Sequence, residues 1–378
     1  MSILLIIGTF EALFLTVLVV AMKNKTTSDL FLGLIFFVDA LSIGFAYLQY
    51  YNIQNSFPMP WALNIGFVFM YLHGPALWFY ISSQSAKGFR FRPYYLIHFL
   101  PFIVFFTIQF FIFATLETPE KIQIILSESF KETNFYKTAV LCIGTSTISY
   151  YLWGLRQLRE HRKQLRNHFS RIDDKDLNWL RILIIASLIT YGINHLGFNL
   201  DLIFKYASFN VLMMLSYGFA SIYILVMGFF GLRQGNIFIR PDERITGLKH
   251  EKRRSDKQEV SKGAEDKFVE SLFEHMSSRQ PHLDPEITLS SLASQLGVQS
   301  DYLSTILNGS LNINFFDFIN SYRIEEFKTQ ALEDRNSHLS IIGIAYDCGF
   351  NSKAAFYRAF HKMEKVSPGD YIAGLRRK

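Results

Sequence analysis

Two short stretches carry side chains whose types and spacing suit contact with a nucleic-acid duplex. In 352–361, helical periodicity puts Ala355, Phe356, Ala359 and Phe360 on one face and leaves Lys353, Ala354, Tyr357, Arg358 and His361 on the other. In a helix over 300–307, Asp301, Tyr302, Ser304, Thr305 and the following Asn308 point away from Leu303 and Ile306. Ammonium and guanidinium groups neutralise phosphate, and guanidinium, hydroxyl and carboxamide groups hydrogen-bond base edges, so both sets are candidate contacts. A third set is chemically different. Glu11, Asp39, His73 and His195 lie inside long apolar runs, with Gln49, Asn64, His98, Gln109, Asn194 and Asn199. Each is costly in lipid and is expected to face a helix bundle or water, either as a ligand pocket or coupling network, or as interhelical hydrogen bonds that hold the bundle together. His73, His98 and His195 have the ligand type for a metal, but their spacing gives no support to one.

The first two sets need helices to aim them. Ser340 starts a short helix bearing Ile341, Ile342, Ile344 and Ala345, Gly349 stops it, and a second helix begins near Asn351 or Ser352. Ala345 is small enough for close crossing, and Gly349 can take the positive φ of a tight turn, so a helix-turn-helix is expected. Residues 289–308 repeat the arrangement, with Ala293 and Gly297 spaced as Ala345 and Gly349 are, 52 residues earlier. Leu292, Leu296, Val298, Leu303 and Ile306 turn inward there. Asn314 caps a helix expected over 315–332, with Asp317 at its third position, and about 18 residues of helix make a spacer of about 27 Å between the two units. Ser367, Pro368 and Asp370 begin a last helix. Upstream, Phe268, Val269, Leu272, Phe273 and Met276 form the apolar stripe of a helix that breaks at Gln280-Pro281.

Of 378 residues half are hydrophobic and 38 are Phe, and nearly all of this excess precedes Gly231. Apolar runs near 3–22, 30–51, 61–82, 95–115, 136–155, 180–203 and 209–232 are each about long enough to cross a hydrocarbon core of roughly 30 Å. No basic residue precedes the first run, whereas Lys23 and Lys25 follow it, so an uncleaved helix with its N-terminus outside is expected. Thirteen Lys and Arg fall in connections one, three and five, against three in connections two, four and six. That bias puts the odd connections and the C-terminal tail in the cytoplasm. Aromatic rings such as Trp61, Trp179, Tyr94 and Tyr95 sit at the expected span ends. Cys142 and Cys348 supply no disulfide framework or metal spacing. The expected architecture is all-α: a seven-helix transmembrane bundle over 1–232, a charged cytoplasmic linker over 233–262, and a double helix-turn-helix domain over 263–378. The linker's basic cluster at 249–254 reads as a solvated charge run, or as one lying on anionic lipid or DNA phosphate.

The C-terminal stretch resembles the DNA-binding module of the arabinose-regulator (AraC/XylS) family of bacterial transcription regulators. The match runs over roughly 265–378 and rests on Ile344-Ala345, Gly349-Phe350, Phe356, Arg358, Phe360 and Ser367-Pro368-Gly369-Asp370-Tyr371 in place of the usual Thr-Pro-x-x-Tyr. The resemblance implies a monomeric module whose two recognition helices, 300–307 and 352–361, enter successive major grooves about 34 Å apart. The first helix departs from the family in lacking the basic residue often found near Thr305, which counts against strong guanine reading there. Charge is local: residues 263–378 hold 12 Lys/Arg against 15 Asp/Glu, whereas 351–378 hold seven against two. The second unit is therefore expected to dominate attraction to phosphate. The N-terminal half is similar to multi-span sensor halves only in span count and topology.

The expected function is a membrane-tethered, sequence-specific regulator of transcription whose bundle senses a ligand or membrane state. The expected partners are double-stranded DNA, the lipid bilayer, RNA polymerase, a small-molecule or membrane signal, and a second copy of the chain. The alternative is an integral-membrane enzyme or transporter with an attached DNA-binding module. No His-Glu-x-x-His, Gly-x-Ser-x-Gly or phosphate-binding glycine loop occurs in the chain, so no enzyme activity, metal or cofactor is expected. Release of the tail by cleavage in the linker is a third reading. A reporter enzyme fused after Lys378 should be active only in a form that works in the cytoplasm; periplasmic activity would reverse the assigned topology.

Overall fold

Side-chain caps start several helices of this chain. Thr26 accepts the Asp29 backbone N–H, and Asp29 Oδ2 accepts the Thr26 backbone N–H at 2.7 Å, ahead of a helix over Thr27–Gln54. The computed structural model describes residues 2–85, 89–172, 175–237, 262–333 and 338–376, and the described chain is helical throughout. It divides into two units, Met1–Arg159 with Leu177–Ile239, and Glu160–Asp176 with Arg240–Lys378. Of the expected linker, 233–262, residues 238–261 lie outside the described residues, whereas 233–237 continue the preceding helix.

The first unit contains α1 (Ser2–Ala21) and α2 (Thr27–Gln54), followed by 3-10 turns over Pro60–Ala62 and Gly66–Leu72 that lead into α3 (His73–Ser85). The third apolar run is therefore not one straight helix. Pro60 opens its first turn, and Asn64 holds a left-handed φ of 58° while its backbone N–H donates to Gln49 Oε1 at 3.0 Å. Another 3-10 turn, Pro93–Phe99, precedes α4 (Leu100–Thr115), and α5 (Thr118–Leu126) is a short surface helix. Then come α6 (Asn134–His168), α7 (Asn178–Phe204) and α8 (Phe209–Ile237), residues of α6 up to Arg159 counting with this unit.

Six segments among the described residues are long and apolar enough to cross a membrane: Ser2–Ala21, Thr27–Gln54, Pro60–Ser85, Pro93–Phe113, Asn178–Phe204 and Val211–Gly231. The expected run 136–155 is not one of them. It lies in α6, which is long enough at 35 residues but dilutes its apolar content with Lys137, Thr138, Thr145, Ser146, Thr147 and Ser149. Phe36, Ile43, Tyr80, Tyr151, Ile184 and Met227 form part of the core, where Asp39, Asn52 and Asn64 are also buried. Phe10, Phe111, Ile193, Ile203 and Phe229 are exposed. Large apolar groups outside and carboxylate or carboxamide groups inside reverse the usual pattern of a water-exposed surface.

In the second unit, α9 (Lys262–Arg279) ends at Gln280, whose φ of 48° precedes Pro281. Leu272 and Met276 are buried as expected for an inward stripe, but Phe273 is 41% exposed: it lies just off the narrow face that α9 presents to the core. The two repeats are α10 (Leu289–Gln295) with α11 (Ser300–Thr305), and, after α12 (Phe315–Gln330), α13 (Ile341–Asp347) with α14 (Lys353–Glu364), followed by α15 (Pro368–Arg376). α11 widens into a π turn over Ile306–Ser310. The side chains of Thr288, Asn314, Ser340, Ser352 and Ser367 each accept a backbone N–H three residues on.

The repeats agree at the level of single hydrogen bonds. Val298 N–H donates to Ala293 O at 3.0 Å and Phe350 N–H donates to Ala345 O at 3.1 Å, across Gly297 at φ 68° and Gly349 at φ 89°. Each repeat has its own core. Leu272, Met276, Leu292, Leu303 and Leu307 surround Phe315, Phe318 and Ile319, whereas Ile344, Phe350, Phe356 and Phe360 surround Ile324 and Phe327. α12 thus gives one end to each core. It has 16 residues, about 24 Å, two residues shorter than expected because Leu332 N–H turns back to Thr329 O.

The two turn glycines should differ sharply in tolerance. A Cβ on Gly349 would lie 2.5 Å from His282 O, whereas one on Gly297 meets nothing within 4 Å. Gly349→Ala should lower the opening free energy of the second unit by about 2–4 kcal/mol and Gly297→Ala by about 1 kcal/mol, read by amide hydrogen exchange of the whole protein. Equal costs would refute the contact.

Candidate nucleic-acid interface

α14 begins at Ser352, whose Oγ accepts the Ala355 N–H at 3.1 Å, and Phe356 and Phe360 anchor it to Phe327 of α12. That attachment turns Lys353, Ala354, Arg358 and His361 outward, and all four are exposed. Tyr357 is half-buried, its ring 5.6 Å from Lys353 Nζ. Two cations, an imidazole and a methyl group on one face can meet phosphate, a purine edge and a thymine methyl.

α11 presents a different surface. Asp301, Thr305 and Asn308 are exposed, Ser304 is half-buried, and Tyr302 packs edge-on against Phe268 of α9 with centroids 5.0 Å apart. Thr305 Oγ1 donates to Asp301 O at 2.8 Å and Asn308 Nδ2 donates to Ser304 O at 2.9 Å, so these donors serve their own helix. The candidate face of α11 holds one carboxylate and no cation. Tyr302 is a support for α11 in this arrangement as well as a candidate contact.

Two residues outside the candidate sets bear on the interface. Lys362 Nζ, at the end of α14, donates to Asp317 Oδ2 at 2.7 Å. Burial raises the Asp317 carboxyl, but hydrogen bonds from Lys362 and Asn314 and the charge of Arg166 outweigh it and hold the group below the ordinary aspartate value. Arg323 of α12 is 2% exposed and donates from Nε to His282 O at 2.7 Å and from Nη2 to Asp284 O at 2.8 Å. An arginine in the otherwise apolar stripe of Phe318, Ile319, Ile324 and Phe327 is a signal that sequence alone contained, though not its partners. Cys348 is a free thiol buried in the second core, and burial, with Glu326 and Asp347 adding, pushes it up to about 12.

Of the four polar candidates in the first unit, the fold joins two. Asp39 Oδ1 lies 3.3 Å from His73 Nδ1, with Ser42 Oγ 3.2 Å from Nε2 and Tyr191 OH 3.4 Å from Nδ1. Asp39 is 1% exposed, and its Oδ2 has no partner among the described residues. Glu11 stands apart on α1, and His195 lies against Gly144 and is hydrogen-bonded with Asn199. His98 pairs with Tyr150 OH at 2.6 Å. Among the described residues no group of three His, Cys, Asp or Glu could hold a metal ion.

The helix-turn-helix domain family matches residues 292–374, which span both repeats. "Uncharacterized HTH-type transcriptional regulator YtdP" of Bacillus subtilis (strain 168) is 30% identical over 88 residues, 23% of this chain and 11% of that protein. "Uncharacterized HTH-type transcriptional regulator SACOL0084" of Staphylococcus aureus (strain COL) is 32% identical over 90 residues, 24% of this chain and 12% of that protein. The chain thus spans about a ninth of the length of these relatives. No solved structure matches it. The second unit carries a helix-turn-helix domain.

Arg358→Ala should weaken DNA binding by about 1–3 kcal/mol and relax discrimination at one base pair, whereas Lys353→Ala should weaken all sequences alike and reduce the salt slope by about one. Unchanged affinity and slope would remove the residue concerned from the interface.

Proposed function

We propose that the chain is a membrane-tethered, sequence-specific transcription regulator of the AraC/XylS type. The observation that carries the reading is the pair of repeats, matched in the hydrogen bonds of their turns and locked to opposite ends of α12. Such a domain can place two helices in neighbouring major grooves of promoter DNA, with α14 supplying the charge. Control of RNA polymerase is the proposed outcome of that binding.

The exposed aromatic and aliphatic belt of the first unit supports a bilayer as its solvent. We count α6 as a seventh crossing. Its Tyr136, Val140, Tyr151 and Leu158 enter the core of the first unit while Leu141, Leu152 and Trp153 remain outside, so α6 packs with the other spans on one side and offers large apolar groups on the other. Charge favours the same count, because with six crossings the basic cluster at 156–181 would fall on the opposite side from Lys87, Arg90 and Arg92. Within the bundle, the Asp39–His73 pair is the proposed sensing centre: it is buried, polar and only partly satisfied.

Full-length protein in lipid nanodiscs should protect a site of about 20 base pairs spanning two major grooves when footprinted against genomic fragments. The same affinity for every sequence would defeat the reading.

A further inference from the structure

Residues 160–176, which the sequence presents only as a basic connection, fold in the same unit as the helix-turn-helix domain. Ser170 Oγ donates to Ile287 O at 2.7 Å, and Phe169 bridges Thr288, the cap of α10. Leu165, Ser170 and Ile172 are buried. Arg166 Nη2 reaches Asp317 Oδ1 at 2.8 Å with its guanidinium 5.1 Å from the Phe316 ring centroid, and Arg171 Nη1 reaches Glu286 Oε1 at 2.7 Å. Arg323 Nη2 also lies 3.4 Å from Ser170 Oγ.

Both carboxylates are shared with the ends of α14. Asp317 takes Lys362 from its last turn, and Glu286 Oε1 accepts from Asn351 Nδ2 at 3.0 Å just ahead of its first. Residues 263–378 carry three more acids than bases, so every uncompensated carboxylate beside α14 opposes the approach of phosphate. Two arginines from outside that segment sit on the two acids that bracket the helix.

We propose that residues 160–176 are an integral strap of the DNA-binding domain, in which Arg166 and Arg171 neutralise Asp317 and Glu286 and so admit DNA to α14. This rests on the DNA-binding reading and refines it: the DNA-binding domain is discontinuous in sequence, and 263–378 alone lacks a part. The last turns of α6 form the first half of the strap and α7 follows it, so a rearrangement of those helices that undocks the strap lowers affinity for DNA by the differential affinity of the docked and undocked states.

The test uses full-length protein in lipid nanodiscs, titrated onto a protected site. R166A/R171A should bind about tenfold more weakly, R166K/R171K within about twofold of the parent, and R166E/R171E more weakly than either. Parent-like binding by the alanine and glutamate variants would overturn the strap's role, as would equal losses with alanine and lysine. Docking is read separately by Phe169→Cys with Thr288→Cys, which should form a disulfide on mild oxidation without loss of DNA binding. Failure to cross-link in a protein that still binds DNA would overturn the docking. A parent protein that protects no DNA would instead overturn the reading beneath it, whether or not the cross-link forms.

Discussion

A guanidinium buried where the two helix-turn-helix repeats meet constrains the whole domain. Arg323 has no room for water, and a buried cation is tolerated only where its donors are used. It uses them on the carbonyls of His282 and Asp284, in the chain between α9 and α10, while Gly349 of the second repeat closes over its Nε. Burial draws the group down to about 10, against the pull of Asp284 and Glu286, which still leaves it charged at neutral pH. Removing it would take the Arg323 donor from the His282 carbonyl, buried beneath the turn of the second repeat. One side chain of α12 thus ties the segment ahead of the first repeat to the turn of the second, beside the apolar contacts that α12 makes with both cores.

Around that fixed frame the two repeats are electrostatically unequal. α14 carries Lys353, Arg358 and Lys362, whereas the outward face of α11 has Asp301 and neutral hydroxyl and carboxamide groups bonded to their own backbone. The positive field lies at the second repeat, and the first offers only short-range hydrogen-bonding groups. Asp317 shows how such a surface is balanced. It sits at the start of α12 where a negative charge is favoured, and its two oxygens are taken by cations from different parts of the chain.

The first unit pairs an apolar surface with an apolar core that holds a few polar groups. Its buried groups include Asp39, Gln49, Asn52 and Asn64, and between α2 and α3 side chains pair with the freed backbone: Asn52 donates to Met59 O at 2.9 Å, and Gln49 accepts from Asn64 N–H. Backbone groups freed by a broken helix need such partners wherever water is scarce. Polar side chains in apolar runs thus have two uses here, repair of the backbone and the Asp39–His73 contact.

Local chemistry was enough to specify much of this protein from sequence. Ser340, Ser352, Ser367 and Asn314 announce helix starts, the Ala-Gly spacing announces both turns, and the buried faces of α13 and α14 follow a period of 3.6, because caps, turns and amphipathic stripes are set by residues a few positions apart. The outward residues of α14 were legible for the same reason. What only the tertiary structure decided are the pairings between distant residues. Asp39 meets His73 while Glu11 and His195 stand elsewhere, Arg323 reaches the carbonyls near Pro281, and residues 160–176 join a domain that begins about a hundred positions later. Those contacts depend on how separately formed helices stack, and one strand of sequence carries no record of the distances across that stack.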